Sequence, residues 1–165
     1  MNEHRIIASA PDADAFRQFG ELLAPPESHG DRRQFGHWLV STPGLGLRCH
    51  LNSVAAVSLP VGLEQVEKHP HAAQIFLPVD VSRYLVTVML SDPKGRPDPA
   101  RALSILVPGT VGVVYRPGVW HAGITALDRD GHFAVMMQRG AADDDVFAMI
   151  PYLTVTGLRA QELQR

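Results

Sequence analysis

Thirteen prolines and fourteen glycines are scattered along all 165 residues instead of gathering in one linker. Each proline inside a helix would remove a hydrogen bond and clash with the preceding turn, so long helices are excluded and short strands joined by turns remain. The predicted fold is therefore all-β. From residue 74 onward the runs QIFLPV, RYLVTVML, ALSILV, VGVVY and HFAVMMQ are β-branched or aromatic, and PVDVS, DPKGRPDPA, PGT and RPGVWH punctuate them. Upstream, FGHWLVS and GLRCHLNSVAAVSLP read as further strands, the second long enough to hold two. One short N-terminal helix is expected over residues 11–23, where Asp12 or Asp14 can cap and Phe16, Phe19, Leu22 and Leu23 recur at helical spacing. Because RYLVTVML is apolar at both parities, both of its faces should be covered: one by an opposing sheet, the other by the helix or a second subunit. A homodimer is the corresponding expectation.

Composition narrows the function classes. Forty-five per cent hydrophobic residues in 165 can build a core, and the expected organisation is one domain over residues 1–165. Fifteen basic against seventeen acidic residues leave a net charge of -2 with no basic block, so no nucleic-acid partner is expected. A membrane span needs about 20 mostly apolar residues, and the best runs here are broken by Pro or Gly, so no membrane partner is expected either. The single cysteine, Cys49, cannot form an internal disulfide, and it reads as a core residue. With no signal-peptide pattern at the N-terminus, the expected address is the cytoplasm. Phosphate-loop, Cys-x-x-Cys and Gly-x-Ser-x-Gly patterns are absent from the sequence.

Eight histidines are many for this length, and three fall in two turn-like segments: His69 and His71 in EKHPHAAQ, and His121 in YRPGVWHAG. In an extended chain residues two apart face the same side. His69 and His71 can then point inward together, joined by Gln74 or Glu67 and by His121 from a later strand, as a divalent-metal site. The plainer alternative for His71 is a solvated surface histidine. No organic cofactor is expected.

The pattern is partly similar to that of cupin barrels, in which a His-x-His pair precedes a Glu and a later Pro-x-Gly-x-x-His. His69-x-His71 and Gly118-x-x-His121 fit, but the carboxylate position falls on Ile75 or Phe76. A resemblance that covers nearly the whole chain is to the ureidoglycolate lyase family of cupin-like barrels. In EKHPHAAQIFLP (67–78), Glu67, His69, Pro70, Gln74, Phe76 and Pro78 match its first element; in YRPGVWHAG (115–123), Gly118, Val119, Trp120 and His121 match its second. The flanks FRQFGELL and MQRGAADDD agree too. The chain departs from the family at Lys68 in place of Arg, at His71 in place of an apolar residue, and at Ala122 and Gly123 in place of His-Pro.

The resemblance implies a cupin-like double-stranded β-barrel of jelly-roll type. It also implies cleavage of ureidoglycolate to glyoxylate and urea, in purine breakdown through allantoin. That elimination needs a base at the hydroxyl, an acid or electrophile at the urea nitrogen, and a group to hold the carboxylate. His69 and His121 are the expected base and acid pair, or else ligands of a divalent metal together with His71 and Gln74; Glu67 can orient His69 or act as base. Arg139 is the first candidate for the carboxylate, with Lys68, Arg83 and Arg116 as rivals. Gln74 suits a ureido group, and Tyr115, Trp120 and Phe76 are expected as pocket walls. Two other readings share this fold: a metal-dependent cupin acting on another small hydroxy or keto acid, and a small-acid-binding barrel with altered catalysis.

Overall fold

The structure, a computed structural model, describes residues 4–157. The tail expected as a terminal helical turn lies outside the described residues. Within them the strands are β1 (His4–Ile7), β2 (Gly20–Leu23), β3 (Gly46–Val54), β4 (Ala56–Val57), β5 (Val61–Lys68), β6 (Gln74–Pro78), β7 (Arg83–Ser91), β8 (Pro97–Pro108), β9 (Gly112–Tyr115), β10 (Trp120–His121), β11 (Thr125–Leu127), β12 (Gly131–Arg139) and β13 (Val146–Thr156). The five strong runs become β6, β7, β8, β9 and β12. β5 and β13 are not announced by the hydrophobic pattern. β5 carries Glu64, Glu67 and Lys68, and β13 is interrupted at Pro151, between the two ends of a register shift at Met149 and Leu153.

The strands form two sheets. One has eight strands in the order β1-β13-β5-β10-β7-β11-β4, with β8 also paired to β7; the other is β2-β9-β6-β12-β3. Their inner faces bury Phe76, Tyr84, Val86, Val88, Ile105, Tyr115, Phe133 and Val135 in a common core. Phe133 sits at its centre, edge-on to Tyr84 at 5.0 Å and to Phe76 at 6.2 Å between ring centroids. The two sheets are not joined into the closed barrel that the resemblance implied. After β2, residues 24–45 lie over the outer face of the five-stranded sheet, where Phe35, Trp38 and Leu39 pack on Ile75 and Val114. The segment expected as strand FGHWLVS is accordingly a single 3-10 turn, Gly36–Leu39, with the Trp38 indole donating to Glu21 at 2.6 Å.

The N-terminal helix shrinks to one turn, Ala13–Phe16, capped as expected by Asp12, which accepts from the Asp14 and Ala15 amides. Gly20–Leu23 is strand instead, paired with β9. Leu22 and Leu23 point to opposite faces, one into each apolar cluster, as alternation in a strand requires. Gly20 permits this pairing, because a Cβ there would stand 1.8 Å from the Val114 carbonyl oxygen.

β7 is covered on both faces, but by its own chain. Tyr84, Val86 and Val88 enter the inter-sheet core. Leu85 and Met89 face the back, where β1, β5 and β13 supply Ile6, Val66, Leu153 and Val155. Past β1, Ser9 makes a bridge to Ile105 of β8, so the eight-stranded sheet curls over its own back. The two-sided apolar pattern is thus satisfied without a second subunit. β3 pairs only with β12 and is the outermost strand, so Cys49, expected in the core, is exposed on it, and Leu51 is 70% exposed. Among the described residues no helix is long and apolar enough to cross a membrane.

Truncating Phe133 to Ala should destabilise the protein by about 3–5 kcal/mol, the range for a fully buried aromatic, whereas Leu51→Ser on the exposed edge should stay within about 0.5 kcal/mol. Denaturant unfolding of the two variants reads the contrast; equal effects would misplace the core.

Candidate functional site

β10 is only two residues long, yet it joins the halves of the site. His121 pairs with Glu67 of β5 on one side and with Val88 of β7 on the other. The turn before it is tied to the first motif, since the Gly118 amide donates to the His69 carbonyl at 2.8 Å. Gly118 holds φ at 78°, the left-handed region that favours glycine. These two links bring Glu67, His69 and His121 together. Glu67 Oε1 stands 3.5 Å from His121 Nε2 and 4.0 Å from His69 Nε2, and the two rings are 5.1 Å apart.

Each imidazole has its other nitrogen engaged. His121 Nδ1 donates to the Val119 carbonyl at 3.0 Å. His69 Nδ1 lies 3.0 Å from both the Asp144 carbonyl and an Asp145 carboxylate oxygen. With Nδ1 carrying the proton, both Nε2 atoms present lone pairs to the interior. Both are buried without a hydrogen-bond partner. The 3.5 Å approach to Glu67 is an electrostatic contact outside good hydrogen-bond geometry. In that tautomer three acceptors converge with no donor among them, an arrangement that can hold a cation. Two neutral imidazoles and one carboxylate are a donor set that suits a divalent transition metal with coordination positions left open.

The other expected residues divide in two. Gln74 and Tyr115 face the triad. They pair across β6 and β9 on the inner face, where the Tyr115 ring lies 4.4 Å from that of His121. The Gln74 Oε1 and the Tyr115 hydroxyl are also buried without partners. Burial pushes the Tyr115 hydroxyl far above its ordinary pKa, so it stays a neutral donor. Phe76 lies deeper on the same face, 5.7 Å from Tyr115.

His71, Lys68 and Trp120 lie elsewhere. Residues 69–73 are not strand and the chain bends at 70–72, so the rule that placed His71 beside His69 does not operate. His71 Nε2 instead meets Asp143 at 2.7 Å, beside a cleft of about 290 Å³ that it shares with Trp38, Pro117 and Gln138. Lys68 and Trp120 each follow or precede a triad residue in a strand and so face the opposite side. Trp120 belongs to the rear core, and its indole and the Lys68 ammonium both donate to the Gly95 carbonyl in the β7–β8 turn. Lys68 Nζ also lies 4.5 Å from the Trp120 ring.

Arg139 is at the site but already engaged. It clasps Asp145 through both terminal nitrogens, one at 3.0 Å and the other closer still. This holds the Asp145 carboxyl below its usual range, with His69 adding to the effect. Its rivals are spent as well: Arg83 is paired with Asp128, and Arg116 lies over Trp38. Asp145 was not singled out from the sequence, although the acidic run after Arg139 was part of the family resemblance. Its carboxylate orients His69 and neutralises Arg139 at once. Replacing Asp145 by Asn should weaken Zn²⁺ binding about 10- to 100-fold, the usual effect of losing a carboxylate behind a ligating histidine. Calorimetric titration checks this against Asp143→Asn, which should bind as the unaltered protein does.

Comparison with known proteins gives the family of the chain. Residues 3–155 match the family described as ureidoglycolate lyase. A ureidoglycolate lyase of Chelativorans sp. is 31% identical over 90% of this chain and 94% of its own length. Another, from Rhizobium leguminosarum bv. trifolii, is 33% identical over 84% of this chain and 89% of its own. A third, from Azotobacter vinelandii, is 34% identical over 83% and 87%. Among solved structures, RmlC from Streptococcus suis gives a TM-score of 0.48 over 86% of this chain and 75% of that chain at 12% identity, too distant a likeness to bear on fold or chemistry. The triad and both motif segments fall inside the matched region, and the chain belongs to the ureidoglycolate lyase family.

Proposed function

We propose that the protein cleaves ureidoglycolate to glyoxylate and urea, as a carbon–nitrogen lyase acting at the Glu67–His69–His121 cluster. The observation that carries the reading is the convergence of three acceptors with no donor among them in a chain of this family. It favours the two histidines as metal ligands over the acid and base pair that the sequence left open. A divalent cation held by Glu67, His69 and His121 would supply Lewis acidity toward the hydroxy-acid end of the substrate.

The remaining chemistry belongs to the chain. The Asp144 carbonyl and the Asp145 carboxylate fix the ring of His69, and the Val119 carbonyl fixes that of His121, so neither imidazole reorients during turnover. Cleavage moves one proton from the carbinol oxygen to the departing urea nitrogen as the C–N bond breaks and the C=O bond forms. A carboxylate has two oxygens, so Glu67 can keep one beside the imidazoles and offer the other to that proton. Glu67 then returns the proton to the nitrogen as urea departs. Arg139 is committed to Asp145, so it serves by positioning Asp145 and does not grip the substrate carboxylate.

Purified protein supplied with a divalent metal should release glyoxylate and urea from ureidoglycolate in equal amounts, without ammonia. His69→Ala and His121→Ala should each lower kcat at least about a hundredfold, and a chelator should abolish turnover. Ammonia in place of urea would make the enzyme a hydrolase of the ureido amide, and no glyoxylate under any metal supplement would overturn the assignment.

A further inference from the structure

Four buried side-chain atoms without partners stand out among the described residues: His69 Nε2, His121 Nε2, Gln74 Oε1 and the Tyr115 hydroxyl. The first two are accounted for by the triad. The other two are not ligands of the cluster that the mechanism uses, and each carries a desolvation cost for a bond it does not make. They are neighbours, since Gln74 and Tyr115 are directly opposed on β6 and β9, with side chains on the same inner face. One is an acceptor. The other is a phenol hydroxyl, a donor by its ordinary chemistry.

A ureido group has the complementary pair, a carbonyl oxygen beside N–H groups. A carboxylate or a simple keto group has acceptors alone. We infer that Tyr115 and Gln74 form the specificity pocket for the ureido end of the substrate, the Tyr115 hydroxyl donating to the ureido oxygen and Gln74 Oε1 accepting from a ureido N–H. This deepens the proposed function and rests on it. The sequence suggested Tyr115 as a passive wall; its unpartnered hydroxyl makes it a reader. The placement is consistent with the chemistry, because the Tyr115 ring lies against His121 and so sets the ureido end next to the cluster that handles the hydroxy-acid end. A site built to hydrogen-bond a polar group rejects analogues lacking it strongly, since the buried donor and acceptor are then left unpaired.

The test uses binding, so it does not depend on turnover. Ureidoacetate is ureidoglycolate without its hydroxyl; in 4-methylpentanoate a branched alkyl group of the same size replaces the ureido group. Calorimetric titration of the metal-supplemented protein should find ureidoacetate bound at least about tenfold tighter than 4-methylpentanoate, the factor expected for one well-made hydrogen bond. Tyr115→Phe and Gln74→Met should each remove that preference while leaving 4-methylpentanoate binding within about twofold. Tyr115→Phe should also keep or raise the thermal midpoint, because it deletes an unpaired buried hydroxyl; a purely structural tyrosine would lose stability instead. Equal binding of the two acids by the unaltered protein, or an unchanged preference in both variants, would overturn the inference. Failure of glyoxylate release with the preference intact would instead overturn the reaction assignment and leave the ureido pocket standing.

Discussion

The site depends on a two-residue strand. β10 inserts His121 between Glu67 and Val88, and the Gly118 amide ties the same turn to the His69 carbonyl. Without that wedge the two histidine-bearing segments would be separate loops. Backbone hydrogen bonds hold it, so the geometry of the triad is set by sheet register more than by flexible side chains. Alternation along the same strand sends Trp120 the other way, into the rear core, where it anchors β10 on Met89 and Leu153.

That division of labour explains which candidate residues were legible. Glu67, His69, Gln74 and His121 were readable as candidates because they match a family's two motifs, Tyr115 was expected only as a wall, and the structure gathers all five between the two sheets. Lys68 and Trp120 stood inside the same motifs, but a motif does not carry the side of the sheet to which each residue points. His71 illustrates the opposite failure. Its i, i+2 spacing from His69 was a sound inference for a strand, and Pro70 turns that stretch into a bend. Arg139 was expected to hold a carboxylate, and Asp145 takes both of its terminal nitrogens, so its charge is spent inside the protein.

The fold shows the same pattern. Strong β-branched runs became strands, because short segments between prolines and glycines have few alternatives. The helix expected over residues 11–23 gave way after one turn. The close approach of Gly20 to Val114 and the pairing of β2 with β9 outweigh a weak helical periodicity. β7 is apolar on both faces because the chain folds β1 and β13 over its own back, which a pattern of buried positions cannot distinguish from a partner subunit.

The sequence by itself determined the strand-rich class, the family, and the residue types that a hydroxy-acid and ureido chemistry would need. These follow from local properties: proline and glycine placement, side-chain shape, and motif spacing. Only the tertiary structure decided which nitrogen of each histidine faces inward, that Asp145 stands behind His69, that Lys68 and Trp120 serve the rear of the sheet, and that Tyr115 and Gln74 keep unpaired polar atoms at the site. Those outcomes depend on register and on contacts between segments distant in the chain, where a shift of one residue moves a side chain to the opposite face.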